Sequence, residues 1–396
     1  MSSPLLQKSN CMASILPFAA VRPPRSKAGL VSTRSYMSYT PGQLREKQAT
    51  NPFSFLHVIH PLLADSLKGE KYYAAVRSAY ESFLAKGYLK QEAEEGLWIY
   101  EQTTHEGHRV KGLLGLISLK DVASGEVKPH EKTLSKREDL FSKYLKAVGF
   151  QTEPVLLSHV DRNDLRQWLD QHSAGRPEAE FATADGSEHS LWVVTHREEI
   201  AKVQGIVSTL HSLYIADGHH RCASSLHLQN EIPGILAFLV PDSQLVVRPF
   251  HRVVTGNPPN ETAWERVKEF AQVEKVTRLP DPLPRGSMGI YHQKSWWMVT
   301  PFIQPFLDVS WCSDHLLASL WDVKDLRTDK RISFQAGTES VERIAEKCSK
   351  DQWLVVLAPT LWSSVETIAD RKESMPPKST YIEPKLRSGL TLFSWK

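Results

Sequence analysis

Two hydrophobic periods alternate along the chain. From residue 70 to 86, Tyr73, Val76, Tyr80, Phe83 and Leu84 recur at three- and four-residue spacing, which predicts a helix with one apolar face, stopped by Gly87. The charged stretch 131–148 reads as a second helix, ended by Gly149. Short apolar runs predict strands at 97–100, 113–119, 154–160, 190–195, 213–216, 235–240 and 245–254. Helices at 198–206, 222–229 and 263–271 fall between or after them. Later strands are predicted at 288–291, 296–299, 353–357 and near 390–395, and helices at 314–321 and 362–371. Segment 24–50, rich in Pro, Ser, Lys, Thr and Gly, reads as loop, and 121–129 as a turn-rich connection. The alternation predicts an α/β (mixed α+β) protein built on mixed sheets. Residues 1–14 read as a disordered extension, 15–280 as a main α/β domain, and 281–396 as a C-terminal α+β region that can pack into the same unit. The break is placed at the linker-like Leu279-Pro-Asp-Pro-Leu-Pro284.

Composition narrows the function classes. The 396 residues carry 48 basic and 45 acidic side chains for a net charge of +3, a balance too even for a general nucleic-acid or membrane surface. The expected partner is a small molecule, and nothing in the sequence sets the oligomeric state. Cys11, Cys222, Cys312 and Cys348 are widely separated and form no C-x-x-C pair, which predicts neither a disulfide framework nor a zinc knuckle. No apolar run approaches the roughly 18 residues needed to span a bilayer. A reducing, cytoplasmic location follows as the expectation.

The densest chemistry lies in Tyr214-Ile-Ala-Asp-Gly-His-His-Arg221, where an apolar strand runs through an acidic turn into a helix. His219, His220 and Arg221 then occupy the helix N-terminus, where free N–H groups and the dipole favour anions. Positive side chains oppose that dipole, so three together call for an anion to offset them. Asp217 suits a divalent cation or a hydroxyl proton, and Gly218, His220 and Arg221 suit phosphate. Asp217 as a helix cap and Arg221 as a surface ion-pair partner is the plainer reading of the same residues. As a phosphate ligand, Arg221 replaced by Ala should lose turnover far more than stability. Zinc is disfavoured because His211, His219, His220 and His227 include no i,i+4 pair.

Two further segments carry candidate groups. His130-Glu131-Lys132-Thr133 opens a predicted helix, where Glu131 is either a general base or simply a favourable first-turn acid. Met375-Pro-Pro-Lys-Ser-Thr-Tyr-Ile-Glu-Pro-Lys385 is too proline-rich for a helix or central strand. Its Lys378 and Ser379 are candidate anion contacts, or else the segment is a rigid wrap anchoring Tyr381.

These segments, with Pro17-Phe-Ala-Ala-Val-Arg-Pro23 and Asn51-Pro-Phe-Ser-Phe-Leu-His57, occur in an order that resembles the family catalogued as domain of unknown function 1015, from Ile15 to Trp395. The short Gly218-His-His-Arg221 core is also similar to the G-x-x-R phosphate box of the ParB and sulfiredoxin superfamily. Free-serine kinases within that superfamily carry an Asp-Gly-His-x-Arg type of box. The resemblance implies a ParB/sulfiredoxin-like phosphate-binding strand-turn-helix, a nucleotide (ATP or ADP) with Mg²⁺ at Asp217, and phosphoryl transfer to a small hydroxylated metabolite such as L-serine. In that scheme Asp217, His219, His220 and Glu131 are the catalytic candidates. Gly218, His220, Arg221, Lys378 and Ser379 hold the cofactor. A non-catalytic nucleotide-binding regulator and a metal-dependent hydrolase are the alternatives. Sulfinic-acid reduction is disfavoured, since His219 stands where sulfiredoxin needs cysteine. Partition-type DNA binding lacks a basic recognition helix.

Overall fold

The computed structural model describes residues 13–61 and 66–396; residues 1–12 of the expected extension lie outside them. The described chain forms two compact units. The first comprises the residues up to 128, 133–245 and 384–396, and the second 129–132 and 246–383.

The first unit is organised on a mixed nine-stranded sheet. Its order is Val127–Lys128, Leu213–Asp217, Val155–His159, Gly234–Pro241, Arg109–Ser118, Leu97–Thr103, Glu188–Val194 and Ala179–Ala182, with Ile15–Leu16 also pairing Arg109–Ser118. Leu213–Asp217 runs parallel to Val127–Lys128 and antiparallel to Val155–His159, which in turn is parallel to Gly234–Pro241. The near-continuous apolar run in Gly234–Pro241 is explained by burial along its whole length. At Gly112 a Cβ would come within 2.1 Å of the Leu239 carbonyl oxygen, so this strand pair requires glycine.

Beside the sheet, the helix Glu70–Ala85 buries Tyr73, Val76, Tyr80 and Phe83 against Phe55, Leu56 and Phe150, as its period predicts. Gly87 (φ 65°) follows it, and Gly149 (φ 76°) caps the helix Ser135–Val148. The latter begins four residues later than its charge pattern suggests, which leaves Glu131 outside it. Segment 24–50 also departs from the loop expectation. Pro41–Thr50 is a helix started by a capping box between Thr40 and Gln43, with Pro41 at its head. It buries only Leu44 and Gln48, too little apolar surface to produce a visible period. Leu119–Ser124 is likewise a short helix where a turn-rich connection was expected, started by the Ser118 side chain and stopped by Gly125 (φ 88°).

The second unit contains an antiparallel seven-stranded sheet in the order Ala271–Val276, Ser295–Pro301, Met288–His292, Gln352–Leu357, Val246–Thr255 and Ile332–Ala336. Thr380–Glu383 pairs with the opposite end of Val246–Thr255 and stops before Pro384, in keeping with a proline-rich segment confined to an edge. A tryptophan-rich core including Trp321 and Trp353 packs against one face. Among the described residues, no helix is long and apolar enough to cross a membrane.

Candidate functional site

The strand Leu213–Asp217 delivers its last residue through a register shift between Ile215 and Asp217 against Leu157 and Leu156. Such a bulge re-aims the side chain that follows it. Gly218 then adopts φ 100° and ψ 27°, a left-handed conformation that turns the chain directly into the helix His219–Leu226. The backbone shape calls for glycine, and a Cβ there would lie 2.9 Å from Arg221 Nη2 and push the guanidinium aside. With glycine as N-cap, this helix receives no side-chain cap. The expected strand-turn-helix is therefore formed, starting three residues earlier in the helix than the period alone predicts.

The guanidinium predicted to meet a phosphate meets carboxylates. Arg221 Nη2 donates to Asp217 Oδ2 at 2.8 Å, while Nη1 lies 2.8 Å from Glu153 Oε1. Nη1 also donates to the Glu153 and Pro154 carbonyl oxygens at 3.1 and 2.9 Å. On the other side, Lys385 Nζ donates to Asp217 Oδ1 at 2.8 Å. The Ser388 hydroxyl donates to Glu153 Oε2 at 3.2 Å, completing the chain. The crowding of positive charge at the helix start is thus offset from within the protein. Nothing in the sequence marks Glu153 or Ser388, and Lys385 stands there as the second lysine of the proline-rich segment.

Burial by itself would raise the Asp217 pKa, but Lys385 and then Arg221 outweigh it and hold the carboxyl at about 2. A depressed folded pKa contributes stability that is complete above the unfolded value near 4 and is lost as pH falls through about 2. Urea unfolding of the wild type and Asp217→Asn should therefore differ at pH 6 and converge between about pH 4 and pH 2. A constant difference across that window would remove Asp217 as the linked group. Close by, burial pushes the Cys222 thiol up to about 12, so it is an inert core group rather than a nucleophile.

A cavity of about 900 Å³ opens beside this network. Glu153, His220, Arg221 and Ser388 line one part of it, and Tyr36, Tyr72, Phe141 and Tyr144 another; Asp217 and His219 are not among its lining residues. His219 is buried, and its positive form favours the Asp217 carboxylate.

The other predicted residues belong to the second unit. Glu131 forms an isolated parallel bridge with Met375. Lys378, at φ 55°, is exposed and holds its ammonium 5.1 Å from the centre of the Phe250 ring. Ser379 is fully buried and donates its hydroxyl to the Pro376 carbonyl at 2.6 Å, closing its own turn. Among the described residues, no group of three or more His, Cys, Asp or Glu side chains is arranged to hold a metal. Magnesium is ordinarily held through carboxylates that are free to face it. Each Asp217 oxygen already faces a cation, so Mg²⁺ at Asp217, like a substrate hydroxyl, would first require Lys385 or Arg221 to move off an oxygen.

Fold and site together define a mixed α/β protein with a glycine-hinged strand-turn-helix bordering a partly aromatic cavity. The chain belongs to the family described as Protein of unknown function (DUF1015), whose model matches residues 15–319. No curated protein matches the chain. Among solved structures, a free serine kinase variant in complex with ADP is similar at 13% identity and a TM-score of 0.42, covering 72% of this chain and 92% of that one. Free serine kinase in complex with AMP aligns at 15% identity and a TM-score of 0.39, covering 72% and 91%. C-terminally truncated SbnI from Staphylococcus aureus aligns at 12% identity and a TM-score of 0.39, covering 68% and 82%.

Proposed function

We propose that the protein is a phosphotransferase acting on a small hydroxylated metabolite with a nucleotide (ATP or ADP) as donor, and that free L-serine is the most concrete acceptor. The observation that carries this reading is the turn at Gly218, which presents an uncapped helix N-terminus and His220 beside a cavity large enough for a nucleotide. Backbone N–H groups and His220 would receive the phosphates. Arg221, engaged by Asp217 and Glu153, acts as a positioning residue that holds the helix start against Glu153 and Pro154. Asp217 remains ionised at neutral pH and suits acceptance of a hydroxyl proton once Lys385 moves off one oxygen. No step is routed through Mg²⁺.

Incubation of the protein with serine and ATP or ADP, followed by mass-spectrometric detection of phosphoserine, tests the reading. Product should form in the wild type and fall by about 100-fold or more in Asp217→Asn, the usual scale for a general base. Absence of phosphoserine in both directions, synthesis and hydrolysis, would overturn the serine version.

The pairing of both Asp217 oxygens favours a second reading, a nucleotide-binding regulator without turnover. Nucleotide binding that is undiminished in Asp217→Asn, with no product from any hydroxylated acceptor, distinguishes it.

A further inference from the structure

The cavity walls differ sharply from what a serine-sized ligand needs. The aromatic part is a run of stacked rings: Tyr72 and Tyr144 lie with centroids 6.3 Å apart at 25°, Phe141 stacks on Tyr144 at 5.4 Å and 18°, and Tyr36 stacks on His60 at 5.4 Å and 21°. Two of the phenolic groups are tied to the backbone, the Tyr72 hydroxyl donating to the Ile59 carbonyl at 2.9 Å and that of Tyr73 to the Leu140 carbonyl at 3.4 Å. Mutual stacking and these two bonds hold the rings as one planar apolar group. Lys68 and Arg137 line the same cavity, in addition to Arg221 and His220, whereas Glu153 is the acid of its lining and is taken up by Arg221. Met37 and Leu140, 80% and 60% exposed, also line it and leave apolar surface for a ligand to cover.

A wall lined by stacked aromatic rings, with cations around it, fits an anion that carries a planar ring to extend the stack. Resting on the phosphate-site reading above, we infer that this compartment takes the base of a nucleotide, with Tyr36, Tyr72, Phe141 and Tyr144 forming its stacking surface and Lys68 and Arg137 supplementing the phosphate contacts of the helix start. Stacking of a base on an aromatic side chain is sequence-tolerant and substantial, so the ring, rather than the phosphates alone, carries much of the affinity. The three-carbon acceptor proposed above would fill only a small part of this volume.

Isothermal titration of the full chain with ADP and with inorganic tripolyphosphate separates the two ideas. The wild type should bind ADP roughly tenfold or more tighter than tripolyphosphate. Tyr144→Leu, which keeps apolar volume but removes the ring, and Tyr36→Ala, at the half-exposed rim, should each weaken ADP several-fold and leave tripolyphosphate within about twofold. Far-UV circular dichroism and melting temperature identify a variant that fails to fold, and the rim variant then carries the test. Equal affinity for ADP and tripolyphosphate in the wild type would overturn the base compartment while leaving the phosphate site standing. Binding of neither would remove the phosphate site as well.

Discussion

Gly218→Ala should lower stability by about 2–4 kcal/mol and abolish ligand binding at the helix start. The estimate has two parts. At φ 100° an alanine is held in the left-handed region, which costs roughly 1–2 kcal/mol. Its Cβ would also come within 2.9 to 3.1 Å of three atoms of the Arg221 guanidinium. That group must shift, and with it go hydrogen bonds to Asp217, Glu153 and Pro154, each worth about 1 kcal/mol or somewhat more when charged. Urea denaturation measures the loss. Gly205→Ala is the control, since this helical glycine has nothing within 4 Å of a Cβ and should be neutral or slightly stabilising. A Gly218→Ala protein as stable as the wild type would show that the turn does not need its left-handed geometry.

Arg221→Ala should destabilise by about 2–3 kcal/mol, a result that reverses the expectation drawn from the motif alone. As a bare phosphate ligand the arginine would affect turnover and little else. In the structure its side chain is only 20% exposed and joins two carboxylates and two carbonyls, so its removal leaves four acceptors short of a donor. The cost stays below the 3–5 kcal/mol seen for fully buried pairs because Asp217, at 36% exposure, is partly screened by solvent. Arg221→Lys should recover only part of it, since an ammonium cannot span the same fork. A double-mutant cycle with Asp217→Asn should return a coupling of about 1–3 kcal/mol. Additive single effects would mean that the ion pair contributes nothing, and Arg221 would revert to a ligand-binding role.

Much of the secondary structure was legible because it depends on neighbours in the chain. Tyr73, Val76, Tyr80 and Phe83 mark their helix by spacing, and the run through Ile215 and Ala216 marks a buried strand. Gly87, Gly149 and Gly218 mark the places where the backbone turns left-handed. Pro41–Thr50 stayed hidden because a helix with two buried residues has almost no apolar period to read. Its capping pair, Thr40 and Gln43, was the available signal.

The octapeptide from Tyr214 to Arg221 by itself determined a strand, a glycine turn and a helix start carrying positive charge, since each follows from local propensity and backbone geometry. What it could not determine is which anion meets that charge. Glu153 reaches Arg221 from 68 residues away, and Lys385 reaches Asp217 from 168 residues away. Those distances are closed by the pairing of Leu213–Asp217 with Val155–His159 and by the return of residues 384–396 to the first unit. Strand order and chain return are set by the joint burial of many apolar side chains, and no short segment encodes them. The tertiary structure therefore decided that Arg221 is first an organiser of the turn, and that His220 and a cavity walled in part by tyrosines lie beside it.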